Sequence, residues 1–164
     1  MDTHSDAVFG FCMRMMRVRA VAEDVAQQVL LEACRDLDRF EGRSPPRTWL
    51  LGIANHRCLD AIKSQDRRSK HVESNEQAML TYEDPGTGPI EHIARAQLNA
   101  ALEECLASLS PEVRATVLLR FRSGDTYDEL AGSLDATPDA LQARVSRALP
   151  ALRRCLEAKG WTGE

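Results

Sequence analysis

The side chains whose types and spacing fit a recognisable chemistry lie near the C-terminus, at Gln142, Arg144, Ser146 and Arg147. Gln and Arg are the side chains that pair with the exposed edges of adenine and guanine in the major groove of DNA. The stretch follows a polar cap at Thr137 and a shorter predicted helix, which is the pattern of a helix-turn-helix. Spacing alone leaves two interpretations open, a DNA-reading helix or an ordinary helical hairpin with a solvated charged face.

The cysteines do not follow a metal-binding pattern. The chain has no CxxC pair, and His56 with Cys58 is the only close pair of nitrogen and sulfur ligands. In a reducing compartment such scattered thiols are expected to be small buried hydrophobes, so we expect no metal and no cofactor. A redox or metal-sensing role is the less favoured alternative. The five cysteines are Cys12, Cys34, Cys58, Cys105 and Cys155.

Motifs of catalysis and of membrane insertion are missing from the sequence. It contains no Gly-rich phosphate loop, no HExxH and no nucleophile elbow, so an enzyme is the least supported class. No apolar run approaches the roughly 20 residues needed to cross a bilayer. The first residues lack the basic stretch and apolar core of a secretory signal. We therefore expect a cytoplasmic protein without membrane insertion.

The net charge of −4 is unevenly distributed over the 164 residues. Residues 1–70 carry 12 basic and 10 acidic side chains (+2), residues 71–102 carry 1 and 5 (−4), and residues 103–164 carry 8 and 10 (−2). This balance argues against a free-standing DNA binder, because phosphate contacts need clustered Lys and Arg. The acidic middle is typical of a spacer.

Apolar residues recur at three- and four-residue steps, which predicts an all-α fold. In the N-terminal part we predict a helix of about three turns from Val8, a helix over about 21–37 and another over about 48–64. A loop that contains Gly42 and paired prolines separates the last two of these helices. From residue 65 to about 89 the pattern dissolves into charged and small residues, which indicates a flexible linker.

Four further helices are predicted after the linker, beginning near residues 90, 111, 127 and 138. Ser110 and Thr137 are expected to cap helices whose first turn carries a proline. Thr126 and Glu129 fit a capping box, in which each side chain binds a free amide of the first turn. Pro150 is expected to kink the last helix or end it early.

Two blocks of the sequence resemble the sigma-seventy family of transcription initiation factors, in its extracytoplasmic-function group. Residues 22–29 (AEDVAQQV), 36–42 (DLDRFEG) and 47–54 (RTWLLGIA) are similar to region 2. Residues 109–120 (LSPEVRATVLLR), 127–131 (YDELA) and 144–152 (RVSRALPAL) are similar to region 4. Both blocks occur in the family's order. The resemblance implies an RNA polymerase sigma factor with two small helical domains.

The resemblance also implies the division of the chain and its contacts. Residues 1–70 would form region 2, residues 71–89 an acidic flexible linker, and residues 90–164 region 4 with its helix-turn-helix. Region 2 would bind the clamp helices of RNA polymerase core through Asp24, Gln27, Gln28 and Glu32. Region 4 would dock on the polymerase flap and contact the minus-thirty-five element through Thr137, Gln142, Arg144, Ser146 and Arg147. An anti-sigma factor is an expected partner.

The minus-ten element of promoter DNA is the remaining contact that the resemblance implies. The loop from Phe40 to Pro46 would hold an unstacked base, whose extraction costs a few kcal/mol that stacking and single-strand contacts must offset. Trp49 is equally compatible with a place in the core. The implied contact residues are Phe40, Arg43, Ser44, Trp49, Asn55, His56, Arg57, Lys63, Arg67 and Arg68, with Lys70 adding charge for phosphates.

The sequence departs from the family at a few of these positions. Gln28 stands where an acidic residue is usual, His56 where Asn is usual, and Gln142 where Lys or Arg is usual. Asp135 replaces the Gly of the turn, which is tolerable because Asp accepts left-handed backbone angles. Two alternatives stay open: a stand-alone helix-turn-helix regulator, and a helical ligand-binding module that uses cysteines and histidines as metal ligands.

Overall fold

The computed structural model describes residues 2–69 and 89–162, and all regular structure within these two stretches is helical. The predicted all-α fold is therefore confirmed. Of the linker predicted over residues 65–89, residues 70–88 lie outside the described residues. The prediction is wrong for residues 65–69, which continue the third helix to Ser69, and for Pro89, which begins the fourth. The helices are α1 (Asp2–Met16), α2 (Arg19–Asp36), α3 (Pro46–Ser69), α4 (Pro89–Ala107), α5 (Pro111–Arg122), α6 (Tyr127–Leu134) and α7 (Pro138–Ala158), and a 3-10 turn lies at Leu37–Arg39. We call α1–α3 the N-terminal helices and α4–α7 the C-terminal helices.

The N-terminal helices pack against one another through apolar stripes at helical spacing. α1 buries Val8, Cys12 and Met15, and α2 buries Val25 and Val29. Fully burying one such large apolar side chain contributes about 1.5–3 kcal/mol to folding, so these stripes hold the three helices together. α3 presents one face to this core through Leu51, Ala54 and Cys58.

Side-chain caps begin the C-terminal helices where the sequence predicts them. Ser110 accepts a hydrogen bond from the backbone nitrogen of Val113 at 3.4 Å. Thr126 and Glu129 form the predicted capping box, in which the Thr126 amide donates to the Glu129 carboxylate at 2.7 Å. Each cap satisfies amide donors that have no partner inside the helix, which fixes the starts of α5 and α6.

The turn between α6 and α7 has the predicted helix-turn-helix form. Asp135 ends α6 in the left-handed region, with φ of 47°, at the position where the family usually has Gly. Thr137 then caps α7 by accepting a hydrogen bond from the amide of Ala140 at 3.2 Å. Three residues thus join the two helices.

The expectation that Pro150 ends the last helix early is wrong, because α7 continues to Ala158. Proline removes one backbone hydrogen bond, and here it lies on the exposed side of the helix, where water can satisfy the carbonyl that is left free. Leu152 beyond it is buried, and Cys155 is bonded to α4. These tertiary contacts hold the second half of α7 in place.

A disulfide joins Cys105 in α4 to Cys155 in α7, with their Cα atoms 5.8 Å apart. The expectation of buried free thiols is therefore wrong for this pair, and also for Cys34, which is exposed. It is confirmed for Cys12 and Cys58, whose sulfur atoms lie 3.7 Å apart between α1 and α3. A hydrogen bond with Cys12, together with burial, raises the pKa of the Cys58 thiol, which therefore stays protonated.

The N-terminal and C-terminal helices share one continuous hydrophobic core. At their boundary lies Arg114 of α5, which is only 8% exposed, and burial lowers the pKa of its guanidinium. The guanidinium donates to the carbonyl oxygens of Met15 at 3.0 Å and Leu106 at 3.1 Å, and to those of Ala107 and Leu109 at 3.4 Å. One side chain thus satisfies the last carbonyls of both α1 and α4.

Replacing both Cys105 and Cys155 with Ser is expected to lower the free energy of unfolding by about 2–4 kcal/mol, because the bond restricts the unfolded chain. Thermal unfolding of the double variant and of the parent protein, both without reducing agent, measures the difference in the free energy of unfolding. Cys34→Ser, at the exposed free thiol, is the matched control and should unfold like the parent. A thiol titration in denaturant should count three free thiols before reduction and five after it. Five thiols before reduction would contradict the bond.

Arg114→Met is expected to lower the free energy of unfolding by about 2–3 kcal/mol, because it leaves buried carbonyl oxygens without a donor. Denaturant unfolding followed by circular dichroism measures the change. Arg153→Met in α7 is the control, since Arg153 is exposed and, within the described residues, pairs with Glu157 one turn away, so its loss should change stability by no more than about 0.5 kcal/mol. Equal destabilisation by the two variants would show that the buried guanidinium has no special role.

Candidate nucleic-acid interface

The residues predicted to read DNA lie together on the outer side of α7. Gln142, Ser146 and Arg147 are exposed and Arg144 is half-buried. The opposite side of the helix is buried in the core through Leu141, Val145, Ala148 and Leu152. Because the two faces are separate, α7 can lie in a groove of DNA without giving up any of its packing.

The start of α7 adds a feature suited to a phosphate. Thr137 is exposed at the N-cap, and the first turn contains amide donors that have no intrahelical partner. Helix N-termini attract anions through these donors and through the helix dipole. Asp139 in the same first turn carries a negative charge, which reduces this attraction.

A basic surface lies along the C-terminal half of α3. Lys63, Arg67 and Arg68 are exposed there, and Arg67 donates to the carbonyl oxygen of Lys63 at 3.3 Å. Arg57 is also exposed, but its guanidinium binds the carboxylate of Glu32 in α2 at 2.5 Å, and this hydrogen bond raises the pKa of Arg57. The pair joins a residue predicted to contact DNA to one predicted to contact polymerase.

An aromatic pair that the resemblance places near an unstacked base joins the loop after α2 to the start of α3. The rings of Phe40 and Trp49 are in tilted contact, with centroids 5.0 Å apart, and both side chains are half-buried. Arg43 is exposed and pairs with Glu41, while Ser44 is half-buried. Trp49 is therefore neither a fully buried core residue nor a free one.

The remaining predicted polymerase contacts lie on the exposed side of α2. Asp24, Gln27 and Gln28 are exposed, whereas Glu32 is half-buried by its pairing with Arg57. The carboxylate and the two amides therefore form one open polar surface. Lys70 lies outside the described residues.

Two predicted DNA contacts, Asn55 and His56, lie where α3 meets the C-terminal helices. Asn55 is 4% exposed, and its carbonyl oxygen has no hydrogen-bond partner among the described residues. A buried polar atom left unpaired costs about 1–3 kcal/mol. His56 is exposed, and its Nε2 lies 2.8 Å from the Asp135 carboxylate. The predicted contacts of Asn55 and His56 with DNA stay predictions.

A further contact between α3 and the C-terminal part of the chain, at Thr48, is not predicted by the sequence. Thr48 is 2% exposed and donates a hydrogen bond to the carboxylate of Asp125, 2.8 Å away in the turn before α6. The two residues are 77 positions apart, and no local pattern connects them. The only signal in the sequence is that a Thr and an Asp occur at predicted helix starts.

No three His, Cys, Asp or Glu side chains come together as metal ligands within 2–69 and 89–162. Cys58 is fully buried against Cys12, whereas His56 is exposed and bonded to Asp135, so these two do not point at one ion. In the same stretches no helix is long and apolar enough to cross a bilayer.

These features define a helix-turn-helix protein with a second, basic helical surface, and comparisons with known proteins agree. The family model "Sigma-70 region 2" matches residues 1–68, and "Sigma-70, region 4" matches residues 99–152. The ECF RNA polymerase sigma factor SigX of Bacillus subtilis is 27% identical over 165 residues, which cover 95% of this chain and 81% of that protein. The ECF RNA polymerase sigma factor SigK of Mycobacterium tuberculosis is 27% identical over 158 residues, with 95% and 83% covered.

A solved structure has the same fold. The sigma factor RpoE from Bartonella quintana, in complex with the anti-sigma factor NepR, superposes with a TM-score of 0.76 at 23% identity, covering 94% of this chain and 92% of that one. The two family matches together span most of the chain, in the order that the family requires. This protein therefore belongs to the sigma-70 family, in its extracytoplasmic-function group, and is an RNA polymerase sigma factor.

Proposed function

We propose that the chain divides promoter recognition between its two parts, with residues 1–70 acting on the minus-ten element and residues 90–164 on the minus-thirty-five element. Residues 71–89 would connect them as a flexible linker. The observation that carries this proposal is that matches to region 2 and region 4 occur on one chain in family order. The exposed polar face of α7 and the basic end of α3 support it further.

The proposed polymerase contacts lie on exposed surfaces of the chain. Asp24, Gln27, Gln28 and Glu32 form the polar side of α2, which suits the clamp helices of the core enzyme. The C-terminal helices would dock on the polymerase flap. Because a complex with core polymerase would share the phosphate contacts on which non-specific affinity depends, this sigma factor would not need a strongly basic surface of its own.

The proposed DNA contacts fall into groups according to whether the side chains suit base edges, phosphates or base stacking. Gln142 and Arg147 suit base edges, whereas Arg144, Ser146 and the capped start of α7 suit phosphates. On the other part, Lys63, Arg67 and Arg68 suit the backbone of a single strand. Phe40 and Trp49 offer aromatic rings for stacking, which tolerates any base and contributes about 1–3 kcal/mol for each base.

The remaining expectations belong to the same proposal. The protein would catalyse no reaction itself and would act in the cytoplasm, where polymerase and DNA are. The similarity to a sigma factor solved with an anti-sigma factor supports a protein partner of that kind. Without such a partner, the polymerase would be its main binding target.

Run-off transcription on a library of random promoters tests the function directly. Purified core polymerase is assayed with and without the protein, and transcript starts are sequenced. Starts that appear only with the protein, sharing two motifs at a fixed spacing, are expected. No core binding and no new starts, with sequence-specific binding to duplex DNA by the protein alone, would favour a stand-alone regulator instead.

Arg147→Ala is expected to weaken discrimination at one position of the upstream motif by about 1–3 kcal/mol, because a base contact is lost. Counting library starts for the variant and the parent protein measures this change. Arg153→Ala is the matched control on the same helix, since its ion pair with Glu157 is exposed and local. If the upstream motif shows the same base preferences with the parent and with both variants, Arg147 makes no base contact.

A further inference from the structure

We propose that the chain has a binding site for a small phosphorylated ligand where the end of α1 meets α4 and α5. Arg17, directly after α1, binds the phosphate group together with Arg14 of that helix. None of the site's residues belongs to the proposed DNA or polymerase contacts, so the ligand goes beyond the proposed function. Inorganic phosphate, pyrophosphate and the terminal phosphate of a nucleotide share the required chemistry, an oxyanion with about two negative charges at neutral pH.

Arg17 is held in an uncommon backbone conformation. Its φ of 62° lies in the left-handed region, which costs free energy for any residue other than Gly. Its amide donates to the carbonyl oxygen of Met13 at 2.9 Å, which places it at the position after a helix that Gly commonly takes. The backbone alone therefore favours Gly here, and a role for the guanidinium explains why Arg occupies the position.

The guanidinium of Arg17 makes no hydrogen bond or ion pair within residues 2–69 and 89–162, although Arg17 is half-buried. Burial, and then the nearby charge of Arg17, lower the pKa of the Arg114 guanidinium. The donors of Arg114 bind backbone carbonyl oxygens, which carry no net charge. Two partly or fully buried cations thus lie near each other, and such charges are stabilised by an anion.

Glu103 of α4 is the carboxylate around which these cations gather. It accepts a hydrogen bond from Arg14 at 2.6 Å, and the side chains of Glu103 and Arg14 are 28% and 23% exposed. Burial raises the pKa of Glu103. The charges of four guanidinium groups act against this rise in pKa, those of Arg14, Arg122, Arg17 and Arg114. One carboxylate can neutralise only one of these four positive charges.

The charge of this cluster suits a phosphate better than another carboxylate. The neighbouring carboxylate of Glu104 does not offset the positive charge, because it binds Lys159. A carboxylate ligand would add one negative charge, whereas a terminal phosphate carries about −1.5 to −2 at pH 7 and has three acceptor oxygens. The planar guanidinium of Arg matches two of these oxygens at once. Glu103 competes with such a ligand for Arg14, so its removal should strengthen binding.

The first test follows thermal unfolding of the full chain during titration with inorganic pyrophosphate, at constant ionic strength. A ligand that binds the folded chain raises the unfolding midpoint as its concentration rises above the dissociation constant, and we expect this rise for the parent. Arg17→Gln should weaken binding by about tenfold or more, the effect of losing one charge-assisted hydrogen bond. Arg19→Gln is the matched control, because Arg19 is exposed, two positions away and paired with Glu23.

Two further variants separate binding from folding. Arg17→Gly removes the guanidinium and suits the left-handed conformation, so it should unfold at the same or a higher temperature than the parent while losing the response to pyrophosphate. Glu103→Gln removes the competing charge and should tighten binding by about three- to fivefold, the effect of one partly exposed charge. Asp128→Asn in α6 is the charge control and should bind like the parent, because Asp128 is exposed and is not among the charges that act on Glu103.

No saturable response to pyrophosphate, or an equal loss in Arg17→Gln and Arg19→Gln, would overturn the site. Fluorescence anisotropy with a random-sequence duplex oligonucleotide tests the other source of phosphate, the DNA backbone. Arg17→Gln should weaken this binding no more than Arg19→Gln does, and a larger loss would assign the cluster to DNA and overturn the small-ligand site. These measurements use no polymerase, so their results do not depend on the proposed function.

Discussion

The buried guanidinium of Arg114 is the interaction on which the arrangement of the helices depends. Helix ends leave carbonyl oxygens without partners, and the ends of α1 and α4 come close enough together for one side chain of α5 to reach both. Arg114 carries enough donors in one plane to serve carbonyls of both helices and of the segment between α4 and α5. The N-terminal and C-terminal helices can therefore meet without burying unpaired polar backbone.

Local features of the fold could be predicted from the sequence because their causes are local. The capping box at Thr126 and Glu129 and the cap at Thr137 involve residues three positions apart, so a short stretch of sequence contains every residue of the interaction. The same holds for the apolar stripes of the helices. The exposed face of α7 follows directly from such a stripe, which is why the sequence alone predicts which of its side chains point outward.

Contacts between distant parts of the chain could not be predicted in this way. The disulfide joins positions 50 apart, and the Thr48–Asp125 and His56–Asp135 contacts join positions 77 and 79 apart. They exist only because the two halves of the chain pack on each other, and periodicity says nothing about that packing. For the same reason, no sequence pattern indicates that Asn55 is buried.

The disulfide between α4 and α7 also changes the topology of the chain. Everything between the two sulfur atoms, including α5, α6 and the outward face of α7 up to Pro150, belongs to one covalent ring. A protease that cuts a single peptide bond in this ring, for example in the turn around Gly124, would leave two pieces still joined. The helix-turn-helix could thus survive damage that would separate an open chain into fragments.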